Sequence, residues 1–176
     1  MAPNLRVQML MRGQVDAAFS FRTAMLMDTK LVGSDPQRDL RFLAYEDYGV
    51  DLYSNAVIVS KRLTHEKPDA VRGFLRALTR GIKDSIADPE ASVQSVLKRE
   101  PLLKPAIERE RLDSMFKNDM NAAEIAQIGL GDVHDDRLER TIRIVVEANG
   151  LPKTPAPADV FDRRFLPPAS ERVRKL

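Results

Sequence analysis

Four consecutive residues, Ala56-Val57-Ile58-Val59, set the first constraint on this chain. β-Branched side chains are stiff at χ1 and favour extended backbone. An apolar run without alternation suits a strand covered on both faces. The stretch Leu52 to Ser60 is therefore expected to be a strand, and a strand needs neighbours to pair its amides. Two other segments have strand character: the short run Val15 to Phe19 and the imperfectly alternating Leu40 to Tyr45. Three short strands are too few for a complete open sheet. The chain reads as an α/β protein with part of its sheet missing.

Beyond Ser60 the pattern turns helical. Pro68 and Asp69 open a long helix in which Val71, Phe74, Leu75, Leu78, Ile82 and Ile86 recur at spacings of three and four, one apolar stripe. Asp88-Pro89 starts a second, with Val93, Val96 and Leu97 inward. Pro101 and Pro105 bracket a break before Ile107, Leu112, Met115 and Phe116. Asp132 to Asp136 is expected to cap a helix that carries Leu138, Ile142, Val145 and Val146 and ends at Asn149-Gly150-Leu151-Pro152. In the front part, Leu5 to Met11 reads as a short helix between Pro3-Asn4 and Gly13, and Arg22 to Leu31 as another. Asp16 is expected to fix the turn after Gly13 through its backbone rather than to touch a ligand.

Composition removes several kinds of chemistry. The net charge is +2 with acids and bases interspersed, so no basic face for nucleic acid is expected. The terminal run Arg172-Val173-Arg174-Lys175 reads as a solvated tail. There is no cysteine, which excludes thiol catalysis, thiolate metal sites and disulfides. No apolar run approaches the ~18 residues of a membrane span. The first residues, MAPNLRVQMLMRGQ, lack a clean apolar core, so no signal peptide is read in this chain. The two histidines, His65 and His134, stand apart. No metal, cofactor or catalytic constellation is implied, and Gly129 to Val133 reads as a turn rather than a dinucleotide loop.

Two stretches have binding character. GQVDAAFSFRTA ends its apolar run with Phe19, Ser20 and Phe21, followed by Arg22. YEDYGVDLYSN holds all three tyrosines of the chain, Tyr45, Tyr48 and Tyr53, with Asn55 beside them. A tyrosine presents a flat apolar face with a polar tip, suited to a small heterocycle or polar organic ligand. The same rings would also serve simply to cover a strand edge.

In order along the chain, GQVDAAFSF, YEDYGVDLYSNAVIVSKRL, KPDAVRGFLRALTRGIKD, GLGDV and DVFDRRFLPP resemble the substrate-binding proteins of bacterial ABC importers. The branch is similar to the thiamine-pyrimidine, nitrate, sulfonate and taurine group with the periplasmic-binding-protein type 2 fold. The resemblance implies two α/β lobes around a ligand cleft, a small-molecule ligand, a membrane permease as partner, a periplasmic or other extracytoplasmic location and no enzymatic activity. It implies that residues 1–48 are the remainder of the second lobe. Residues 49–60 would be the crossover and a central strand of the first lobe, and 61–176 that lobe's helical C-terminal part. The chain then corresponds to the C-terminal portion of such a protein. Phe19, Ser20, Phe21, Tyr48, Tyr53 and Asn55 are the expected ligand contacts. A relative in the wider group that makes thiamine pyrimidine would need a cysteine-rich motif, which is absent. The alternative reading is a protein-interaction or self-associating module, because an incomplete fold exposes apolar surface.

Overall fold

The computed structural model describes residues 5–176. Among them there is no β-strand, and the elements are ten α-helices with short 3-10 and π segments. The α/β expectation is therefore corrected: the described chain is helical. Residues 15–19, 40–44 and 52–60 carry no regular structure. The physical reason is pairing. A strand gains its hydrogen bonds only from a neighbour, and none of these three segments bonds to another. The Pro3-Asn4 start signal lies outside the described residues.

The chain divides into two compact units. Unit 1 comprises Met1–Leu43, Asp84–Asn121 and Leu176. Its helices are α1 (Arg6–Met11), α2 (Arg22–Leu31), α3 (Pro36–Asp39), α6 (Pro89–Leu97) and α7 (Pro105–Ser114), followed by a π turn over Met115–Asp119. Helix α2 is the centre of the unit and packs against α1, α3, α7 and the π turn. It consequently buries Thr23, Met25, Met27 and Thr29, residues that no single helical stripe would contain. The Thr29 hydroxyl donates to the Met25 carbonyl at 2.7 Å, so its burial leaves no unmade bond. Thr23 and Ser114 hydroxyls bond at 2.9 Å, and Lys30 pairs with Glu110 across the same α2–α7 contact. Val7 and Val93 complete this core. Because the Thr29 hydroxyl bonds only within its own helix, Thr29→Val is expected to change stability by less than about 1 kcal/mol in urea unfolding.

Unit 2 comprises Ala44–Lys83 and Ala122–Lys175. It holds α4 (Lys61–Glu66), most of α5 (Pro68–Ala87), α8 (Ala122–Ile128), α9 (Asp135–Asn149) and α10 (Pro157–Val160). Val71, Ile125, Leu138, Ile142, Phe165 and Val173 are buried. The apolar stripe on α5 is only partly covered: Val71 is buried, whereas Phe74 and Leu78 are exposed.

Two helices start on an aspartate cap, the one at Asp88-Pro89 as the sequence indicates. Asp35 accepts from the Gln37 amide at 2.9 Å at the start of α3, and Asp88 accepts from the Ala91 amide at 2.9 Å at the start of α6. Both precede a proline at the first helical position. The turn after α1 differs. It closes through backbone bonds from Gly13 to Leu10 and from Gln14 to Met9, and Asp16 takes no part.

The C-terminal run is a second correction. Val173 is buried, and the Leu130 amide donates to its carbonyl at 2.8 Å. Arg174 donates to the carbonyls of Ala126 and Gln127 at 3.3 and 3.0 Å. Arg172 donates to that of Ile128 at 3.1 Å. The last carbonyls of α8 have no partner inside the helix, and these two arginines satisfy them while placing positive charge at the negative end of the helix. Basic side chains here are helix caps, not a solvated tail.

Candidate functional site

The residues singled out in the sequence fall in both units. In unit 1, Phe21 is the extended residue that precedes α2, with φ −71° and ψ 140°. Phe21 is 59% exposed, Phe19 79% exposed, and Ser20 between them is also exposed. Two aromatic rings in water around a hydroxyl are an unusual use of apolar surface. Arg22, the first residue of α2, lays its guanidinium 5.5 Å from the centre of the Phe42 ring, so it is engaged within the unit.

In unit 2, Tyr48 ends a 3-10 turn over Tyr45–Tyr48 and is 67% exposed. Asn55 is exposed in the segment without regular structure. Tyr53 behaves differently from the other two. Its hydroxyl donates to the Glu124 carboxylate on α8 and accepts from the His134 amide at 2.8 Å. Its ring lies under the Arg137 guanidinium at 4.3 Å. Arg137, in the first turn of α9, bonds Glu124 at 2.5 Å and Asp51 at 2.6 Å, and reaches the Leu52 carbonyl at 3.4 Å. The cluster clips the loop 51–53 to α8 and α9. Burial raises the Tyr53 hydroxyl above the usual tyrosine range, and the bond to Glu124 adds to this. Burial opposes the Arg137 charge, but the Asp51 bond and the Asp51 and Glu124 charges outweigh it and the group holds its proton more tightly. Its Nε is buried with no hydrogen bond. Nothing in the local sequence around Tyr53 points to Glu124 or Arg137.

A second polar cluster lies at the loop before α9. Asp132 accepts from Arg163 at 2.8 Å, from the Val133 amide at 2.9 Å and from Arg172 at 2.6 Å. Arg163 also bonds Asp135 at 2.7 Å. Asp132 and Asp135 thus pair with Arg163, while Asp135 and Asp136 also lie in the first turn of α9, where negative charge meets the positive end of the helix; the N-cap residue itself is His134, without a side-chain bond. Burial would raise the Asp132 carboxyl, but the bonds from Arg163, Val133 and Arg172 lower it below the usual carboxylate range. A depressed folded value stabilises the fold above the unfolded value of about 3.9, and the contribution is lost as pH falls through the folded value. The advantage of the native chain over Asp132→Asn in denaturant midpoint is expected to shrink as pH drops below about 4.

Two surface hollows lie elsewhere on the described chain, one in each unit. One of about 190 Å³ in unit 2 is lined by Thr64, His65, Pro68, Arg72, Arg164 and Phe165. One of about 340 Å³ in unit 1 is lined by Gln8, Met11, Arg12, Val32 and Ser34. Neither contains a residue expected from the sequence to touch ligand. Among the described residues no group of three or more histidine and carboxylate side chains could hold a metal ion. No helix among them is long and apolar enough to cross a membrane.

Residues 3–92, just over half of the chain, match the family described as NMT1/THI5 like. The chain belongs to this family of ABC transporter substrate-binding proteins, which are binding proteins and not enzymes. No curated protein and no solved structure matches it. Phe19, Ser20, Phe21, Tyr48, Tyr53 and Asn55 all fall inside the matched range, whereas Glu124, Arg137 and the Asp132 cluster lie beyond it.

Proposed function

We propose that this chain takes part in importing a small organic solute such as a pyrimidine, a sulfonate or a nitrate-like anion, delivering it to an ABC permease from the extracytoplasmic side. The observation that carries the reading is the family match across residues 3–92, which contains the water-exposed Phe19-Ser20-Phe21 cluster. In this reading Phe19 and Phe21 of unit 1 stack on the solute and Ser20 hydrogen-bonds it; within unit 2, Tyr48 and Asn55 are taken as ligand contacts in their own right. Tyr53 supports the ligand surface by fixing the start of the segment that carries Asn55.

Titration calorimetry against a panel of pyrimidines, sulfonates and nitrate tests the proposal. Truncating one enclosing ring, Phe21→Ala or Tyr48→Ala, is expected to weaken binding about 10-fold, corresponding to about 1.4 kcal/mol. Lys175→Ala is expected to leave it unchanged. Equal losses from all three substitutions would remove Phe21 and Tyr48 from the site. Tyr53→Ala is a poorer probe, because it also breaks the bonds to Glu124 and His134.

A further inference from the structure

The hollow in unit 1 is lined by polar groups that the fold leaves unspent. It forms where the C-terminal ends of α1 and α2 meet, and these two helices pack together. Gln8, Met11 and Arg12 share one face at the end of α1, at spacings of three and four. Val32 and Ser34 come from the turn that closes α2. Among the described residues the Arg12 guanidinium, the Gln8 amide and the Ser34 hydroxyl take part in no hydrogen bond or ion pair. Met11 and Val32 add an apolar wall. The hollow in unit 2 is the contrast: Arg72 there is paired with Asp69 at 2.8 Å and Arg164 with Asp162 at 2.6 Å.

Arg12 is not required by its own helix. The last carbonyls of α1 take the backbone amides of Arg12, Gly13 and Gln14 at 3.1, 3.0 and 2.9 Å, so no side chain has to cap them. α2 closes in the same way through the amides of Val32, Gly33 and Ser34. The guanidinium is thus free to meet a negative group from outside. The two helix ends keep some partial negative charge, which opposes a dianion such as phosphate more than a monoanion. A guanidinium fork matches a carboxylate through two parallel bonds. The volume of about 340 Å³ is at the low end for ligand sites, which favours a short molecule.

We infer that this hollow is a binding site for a small aliphatic carboxylate. The carboxylate lies on the Arg12 guanidinium, the Gln8 amide and Ser34 hydroxyl donate to it, and the hydrocarbon chain lies against Met11 and Val32. The site uses none of the residues assigned to the imported solute, so the inference goes beyond that reading and stands or falls separately from it.

The test is 1H–15N NMR of the full chain titrated with pentanoate, and with pentanol and pentylamine as probes of the same chain length. Pentanoate is expected to shift the amides of Gln8, Met11, Arg12, Val32 and Ser34 along a saturable curve with a midpoint of roughly 1 mM. Pentanol and pentylamine are expected to bind at least about 10-fold more weakly. Arg12→Gln removes the cation without breaking a bond within the described chain. Its helical circular dichroism should stay unchanged while pentanoate binding falls about 10-fold or more. Gln8→Glu sets a like charge beside the ligand and is expected to weaken binding about 10-fold at low salt. Phe21→Ala is expected to leave the pentanoate curve where it is. The inference would be overturned by the absence of a saturable shift below about 50 mM, by shifts centred on Phe19–Phe21, or by an equal response to the three probes. An Arg12→Gln chain that binds like the native one would overturn it too, as would a loss of binding in Phe21→Ala. Unchanged binding in Gln8→Glu would remove Gln8 from the site.

Discussion

Arg137→Met is expected to lower the stability of unit 2 by about 2–4 kcal/mol, seen as a reduced urea midpoint. The guanidinium has two carboxylate partners, and Glu124 is only 11% exposed in its side chain. Removing the cation takes a charged partner from Glu124, which keeps the bond from the Tyr53 hydroxyl, and strips the ring of its cation. Breaking one side of a poorly solvated pair costs more than the pair is worth, because the survivor stays desolvated. The double variant Arg137→Met with Glu124→Leu is therefore expected to lose less than the sum of the two single losses. Strict additivity would show that the two groups act independently.

Gly129→Ala is expected to cost about 2–3 kcal/mol in thermal or urea unfolding. Gly129 follows α8 with φ +82°, and a Cβ there would lie 2.8 Å from the Cβ of Arg172. The first effect is backbone strain. The second is displacement of the segment whose Arg172 and Arg174 cap α8. Gly13→Ala supplies the control: φ is +64°, but nothing lies within 4 Å of the added carbon, so about 1 kcal/mol of strain is all it should lose. Equal losses at the two positions would mean that Arg172 yields at no cost.

What the sequence made legible was local. Asp88-Pro89 announces a helix start because the cap, the proline and the first turn are adjacent in the chain. Arg22–Leu31 and Pro68–Ala87 were readable from periodicity and composition. The strand expectations failed where the outcome depends on a distant neighbour. Ala56–Val59 has the composition of a strand, but composition supplies no partner. Site reasoning divided in the same way. The tyrosine cluster drew attention to Tyr53, yet its partners Glu124 on α8, Arg137 on α9 and His134 just before α9 lie far along the chain. Arg172 and Arg174 were misread for a related reason. A basic run near a terminus is usually solvated, and the α8 carbonyls that need those donors lie more than 40 residues away.

The methionines of α2 give the protein an internal chemical clock. Met25 and Met27 are sealed inside unit 1, while Met9, Met11, Met115 and Met120 are partly accessible. Peroxide converts a reachable thioether to the sulfoxide, and a sealed one reacts only when the surrounding helices part. Peptide mass spectrometry after timed oxidation would thus read two rates from one sample. The accessible methionines calibrate the reagent, and the lag at Met25 and Met27 measures how often the centre of unit 1 opens.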